Sequence, residues 1–169
     1  NNRHRHVSYF LASLILLTPI LSKYSLKERV LFQDRNYYGI YKVFERKGFR
    51  FFQHGVTLHG AQYLDPKKKD QPLTYYYPES PIGQFLGSNK FNFSDFAIIG
   101  LGIGSMANHI KPQDRYDFYE LDPLVGRIAK EYFDFGKDKQ GKINLIYGDA
   151  RLSLRKVEKE QYDALIVDV

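Results

Sequence analysis

Cysteine is absent from this 169-residue chain. That excludes disulfides and thiolate-ligated metal, and it leaves a reducing compartment open. The five histidines show no HExxH-type spacing, so no metal site is assigned. The stretch VSYFLASLILLTPIL, Val7 to Leu21, carries no charge, but it falls short of the roughly 20 residues that a spanning helix needs. Its basic left flank is like that of a signal peptide, yet it lacks a small-residue cleavage pattern. Three readings of it stay open: an interfacial helix, a buried helix, or the tail of a membrane span from a longer parent. Acidic residues are in deficit, 19 against 25 basic ones, for a net charge of +6. Much of that surplus sits in the leading NNRHRH and in the loop lysines Lys67–Lys69, and no RNA-binding motif accompanies it. Nucleic acid is therefore not expected as a partner.

What the chain has in plenty is tyrosine and phenylalanine, fourteen and thirteen of them. More than half lie between Phe32 and Phe93. Aromatic and β-branched residues run from Leu26 to Leu64, with turn signals at Asp34–Asn36, Lys47–Gly48 and His54–Gly55, which predicts a small antiparallel sheet. Ser80 followed by Pro81 predicts a helix start.

Beyond Asp95 the pattern changes to alternating strands and helices. Strands are expected at Phe96–Ile99, Tyr116–Glu120, Ile143–Tyr147 and Ala164–Val167. Helices are expected at Gly104–Ile110, Pro123–Phe133 and Ala150–Val157. This alternation predicts an α/β parallel, doubly wound sheet. The chain divides accordingly into an apolar, basic segment (1–24), a β-module (25–64), a connecting loop and helix (65–94) and the α/β part (95–169). It stops at Val169, straight after a fourth apolar strand with little left to cover it, which predicts a piece of a longer protein.

Chemistry is expected where the first α/β strand breaks into Gly100, Gly102 and Gly104. Such a loop offers backbone N–H groups to a ligand. The third glycine comes one residue early for the dinucleotide fingerprint GxGxxG. Glu120 ends the next strand, where a carboxylate can accept both ribose hydroxyls. Asp149, with Ala150 beside it, follows the third strand, where an acid can accept from an adenine amino group. As an ordered set these describe an adenosine pocket, and the second acid favours an adenosyl sulfonium over NAD. Taken singly, each acid is also a natural helix cap. Asp168 ends the fourth strand, where a carboxylate would face the reacting end of the ligand, or merely cap the strand.

The blocks HGVTLHGAQ, PLTYYYPESPIG, IIGLGIGS, FYELDP, YGDARLSL and YDALIVDV, in this order and spacing, resemble the spermidine synthase family from about Tyr37 onward. The resemblance is strongest to its bacterial branch fused behind membrane helices. It implies a β-module leading into an incomplete Rossmann-like sheet of the S-adenosylmethionine methyltransferase type. It also implies aminopropyl transfer from decarboxylated S-adenosylmethionine to a polyamine such as putrescine. Glu120 would then hold the ribose and Asp149 the adenine, and Asp168 would be the catalytic acid. Gln62, Tyr76 and His59 fall near blocks that line the family's substrate pocket. Homo-oligomers, no metal, and a cytoplasmic place at the inner membrane face are further implications.

Two departures qualify these implications. The synthases carry an acid in a GGGDGG loop where this chain has Ile103. Their second active-site aspartate falls past Val169. The rival expectations are a methyltransferase using intact S-adenosylmethionine, and a non-catalytic, membrane-tethered module that binds an adenosyl ligand.

Overall fold

The computed structural model describes residues 28–88, 91–158 and 160–168, with 6, 7 and 9 besides. Nearly all of Val7–Leu21 therefore lies outside the described residues. Among those described, no helix is long and apolar enough to cross a membrane.

Strands β1 (Arg29–Asn36), β2 (Gly39–Arg46), β3 (Phe49–His54) and β4 (Thr57–Tyr63) form an antiparallel meander in chain order. Alternation along the strands separates the two faces of this sheet. Tyr41, Val43 and Phe52 point inward and are at most 2% exposed. On the outer face Phe44 stacks on Phe51 at 5.2 Å, with the Lys42 ammonium 4.6 Å from the Phe44 ring. The first turn falls at Tyr37–Tyr38, later than the expected Asp34–Asn36. Asn36 is the last strand residue, and its side-chain oxygen accepts from the Tyr38 amide at 2.8 Å, so the turn forms ahead of it.

Helix α1 (Pro81–Gly87) starts as expected. The Ser80 hydroxyl accepts from the Gly83 amide at 3.0 Å, and Pro81 takes the first position. The α/β part contributes β5 (Asp95–Ile99), β6 (Arg115–Glu120), α2 (Pro123–Tyr132), β7 (Lys142–Tyr147), α3 (Ala150–Leu154) and β8 (Ala164–Val167). The four strands are parallel, in the order β7-β6-β5-β8. The chain thus winds one way from β5 and returns to its other side, which opens a crevice at the strand carboxyl ends.

Two expected helices are shorter than the sequence suggests. Gly104–Ile110 is a 3-10 helix over Ser105–His109. No side chain caps it, Asn108 and His109 are weak helix formers, and Pro112 stops the α conformation at Lys111. Beyond α3, the residues up to Val157 taper into i→i+3 bonds, Lys156 to Ser153 and Val157 to Leu154.

One hydrophobic core joins both sheets. Tyr41, Val43 and Phe52 pack in the same cluster as Ile98, Phe118 and Ile128. The two sheets pack tightly at Gly60 of β4, where a Cβ would stand 2.5 Å from Cγ1 of Ile103. Ile103 is 5% exposed and fills the space a side chain at 60 would need. Gly60→Ala is therefore expected to destabilise the fold by about 1–3 kcal/mol through overpacking. Adding Ile103→Val should recover part of the loss. Denaturant melts of the single and double variants check this, and additive effects would mean the two residues do not share the space.

Candidate active site

At the carboxyl ends of β5, β6 and β8 lies a cleft of about 600 Å³, within the range of small-molecule sites. Its floor is the glycine loop and the strand ends. Its opposite wall is the β-module, through Tyr38, Tyr41, Phe52, His54 and His59.

Of the residues expected from sequence, Gly100, Gly102, Glu120, Asp149, Ala150, Asp168 and His59 all line this cleft. Gly104 does not. It has φ +78°, and a Cβ there would meet the Phe135 ring at 2.2 Å, so its role is to let the loop turn beneath Phe135. Gly102, at φ +55°, lies under the His59 carbonyl, 3.0 Å from where its own Cβ would be. Gln62 lies apart from the cleft. Its amide donates to the carbonyls of Phe133 at 3.1 Å and Lys69 at 3.3 Å. Ile103 also turns away from the cleft, toward Gly60.

Glu120 is held by two backbone donors, Leu101 N–H at 3.1 Å and Asp122 N–H at 2.9 Å. Burial raises its pKa, and those amide bonds oppose the shift. A carboxylate has about four lone-pair sites, so two remain for outside donors. Asp149 caps α3 through the Arg151 amide at 2.9 Å and pairs with the Arg151 guanidinium at 2.7 Å. That guanidinium lowers its pKa to about 2. The helix-cap role weighed for Asp149 is thus present, in a residue that also faces the cleft.

Asp168 continues the β5 pairing, its amide donating to the Ile99 carbonyl at 2.8 Å. Its carboxylate accepts a hydrogen bond from the Tyr76 hydroxyl. Tyr76 is 8% exposed and stands behind the acid, away from the cleft surface. Burial raises the pKa of its hydroxyl and the adjacent Asp168 adds to the shift, so it stays a donor. His109 fixes Tyr76 in turn, its Nε2–H donating to the Tyr76 carbonyl at 2.7 Å.

His59 enters the cleft because β4 bulges. Phe52 pairs with Gly60 and Gln53 with Leu58, which leaves His59 as the extra residue. Such bulges re-aim side chains beside functional sites. Desolvation and the neighbouring His54 lower the His59 pKa, against a smaller opposite effect of Asp168. Asp168 and the His59 imidazole thus stand at the same end of the cleft.

Of the β-module wall, sequence reasoning named only His59, and it missed Tyr38, Tyr41, Phe52, His54 and the cleft-lining place of Asp122. Asp122 caps α2, accepting from Leu124 N–H at 2.9 Å. It also lines the cleft, as a fourth carboxylate beside Glu120, Asp149 and Asp168. The alternation along β2 was the signal that could have placed Tyr41 on the inner face.

The chain is 28% identical to a polyamine aminopropyltransferase of Vibrio vulnificus, over 90% of its own length and 52% of that protein's. The likeness is to the spermidine synthase family. The chain is also 26% identical to putrescine N-methyltransferase 2 of Nicotiana tabacum, over 86% of this chain and 40% of that one. It therefore spans about half, or less, of the curated relatives it matches. A probable spermidine synthase from Corynebacterium glutamicum has the same fold, with a TM-score of 0.65 at 18% identity over 83% of this chain and 52% of that one. No protein-family profile matches the chain.

The Arg151–Asp149 pair is directly testable. Arg151→Ala should return the Asp149 carboxyl from about 2 toward the ordinary carboxylate range, read from its carbon-13 shift during a pH titration. An unmoved midpoint would assign the depression to the helix-cap amides instead.

Proposed function

We propose that this chain carries the donor-binding half of a transferase that alkylates a polyamine nitrogen from an adenosyl sulfonium, with aminopropyl as the group moved. The observation that carries this reading is charge. Four carboxylates line the cleft, and its one arginine is already paired to Asp149, in a chain of net charge +6. An acidic cleft in a basic chain suits a cationic ligand. The Vibrio vulnificus relative, matched along 90% of this chain, supports the aminopropyl choice.

Residues of this chain would act as follows. The backbone of the Gly100–Gly102 turn approaches the ligand with no side chain at Gly100 or Gly102 in the way, the Gly100 and Leu101 amides being held by the Tyr119 carbonyl and Glu120. Glu120 accepts from the ribose hydroxyls with its remaining lone pairs, and Asp149 accepts from the adenine amino group. When bound, decarboxylated S-adenosylmethionine supplies an electrophilic methylene carbon beside its sulfonium. Asp168, oriented by the Tyr76 hydroxyl, orients the acceptor ammonium and takes its proton, with the neutral imidazole of His59 at the same end of the cleft.

A second reading, methyl transfer from intact S-adenosylmethionine, is favoured by Ile103. That side chain is packed against Gly60, so the loop presents no acid to a donor's free amine. The Nicotiana tabacum relative supports it.

Calorimetric titration of the full-length protein separates the two. Tighter binding of methylthioadenosine than of S-adenosylhomocysteine is expected for aminopropyl transfer. The reverse order would hand the function to methyl transfer, and binding of neither would remove the adenosyl site. Glu120→Ala should weaken both ligands alike, by about 1–3 kcal/mol for lost charge-assisted bonds. Asp168→Asn should abolish turnover and leave nucleoside affinity unchanged, whereas undiminished turnover would discard its catalytic role.

A further inference from the structure

Glu120 and Asp122 are neighbouring carboxylates, and among the described residues neither forms an ion pair. Asp122 is 4% exposed. Its Oδ1 accepts from Leu124 N–H at 2.9 Å, and its own amide donates to Glu120 at 2.9 Å. Its second oxygen accepts from the side-chain amide of Asn36 at 2.6 Å. Asn36 brings the β-module into this hydrogen-bond chain, and the Tyr41 hydroxyl of β2 also donates toward Asp122. Its orientation is fixed, because its carbonyl oxygen is committed to Tyr38 N–H at 2.8 Å, which leaves the NH₂ group aimed at Asp122.

We propose that Asn36 is a positioning residue for the ligand-holding Glu120, acting through Asp122. The β1–β2 hairpin thereby sets the ribose side of the cleft. The inference rests on the adenosyl-site reading of Glu120 and deepens it. Two adjacent carboxylates, Asp122 buried and Glu120 half-buried, repel, and backbone amides at 101, 122 and 124 offset only part of that. The Asn36 amide donates to the remaining oxygen of Asp122 and, together with the Tyr41 hydroxyl, draws its charge away from Glu120. Tyr41 of β2 is the other titratable group facing the pair. Its pKa is raised by burial first and by Asp122 second, so it stays neutral. Arg151, across the cleft, is held by Asp149. The same hairpin also presents Tyr38 and Tyr41 to the cleft, so its placement governs both the ribose side and the opposite wall.

The test uses the full-length protein with two readouts, methylthioadenosine affinity by calorimetry and the Glu120 carboxyl carbon-13 shift against pH. Asn36→Ala should weaken binding about tenfold, in keeping with a lost bond to a charged group. It should also move the Glu120 midpoint to higher pH, because the charge of Asp122 then acts on it with less offset. The Asn36→Asp/Asp122→Asn double variant reverses donor and acceptor while keeping a side-chain oxygen for Leu124 N–H. It should restore affinity to within about twofold, a rescue that general loosening of the hairpin would not give.

An unchanged Glu120 midpoint in Asn36→Ala overturns the inference, as does failure of rescue in a double variant that melts like the parent. If the parent binds no adenosyl ligand and the Glu120 midpoint still moves in Asn36→Ala, the functional reading falls while the positioning role stands.

Discussion

Everything in this molecule depends on a small antiparallel sheet being pressed against the end of a parallel one. Ile103 fills the space left by Gly60 at this contact. From there one core continues through Phe52 to Ile98 and Ile128. Hydrophobic burial supplies the attraction but no direction. Direction comes from a few polar links across the join: Asn36 to Asp122, Arg50 to the Tyr132 carbonyl, and Gln62 to the Phe133 carbonyl. Each ties a β-module strand to one end or the other of α2.

Such docking explains why the cleft has two unlike halves. The parallel sheet supplies what strand ends supply generally, namely turned backbone and carboxylates at a switch point. The β-module supplies rings, and it contributes no acid to the wall. Ile103 stands at the boundary, where a loop residue has become a core residue. Its side chain is part of the joint between the sheets, so an acid placed there would have to leave that joint or be buried in it.

The sequence made the α/β half readable. Asp122–Pro123 and Ser80–Pro81 are local signals whose capping bonds depend on few distant atoms, and both helices begin where those signals stand. The strand-end acids were legible for the same reason, since β6, β7 and β8 run at their carboxyl ends into Glu120, Asp149 and Asp168. The turn at Tyr37–Tyr38 was displaced because an asparagine side chain can close a turn ahead of itself as well as within itself. The double duty of Asp122 was hidden because its second partner lies 86 positions away. No local pattern reports a bond of that span. Gln62 and Tyr76 were placed near the pocket by likeness to other sequences. One proves to brace the α2 end and the other to brace Asp168 from behind.

The bulge at His59 has a consequence for how this chain tolerates change. A bulge is a surplus residue, so losing one position there would leave a regular ladder between β3 and β4, with its backbone pairs intact. The sheet could survive that deletion while the imidazole vanished from the cleft. At this one point in β4, integrity of the scaffold and integrity of the site come apart. A descendant could lose the His59 imidazole from the cleft and still keep the pairing of β3 with β4.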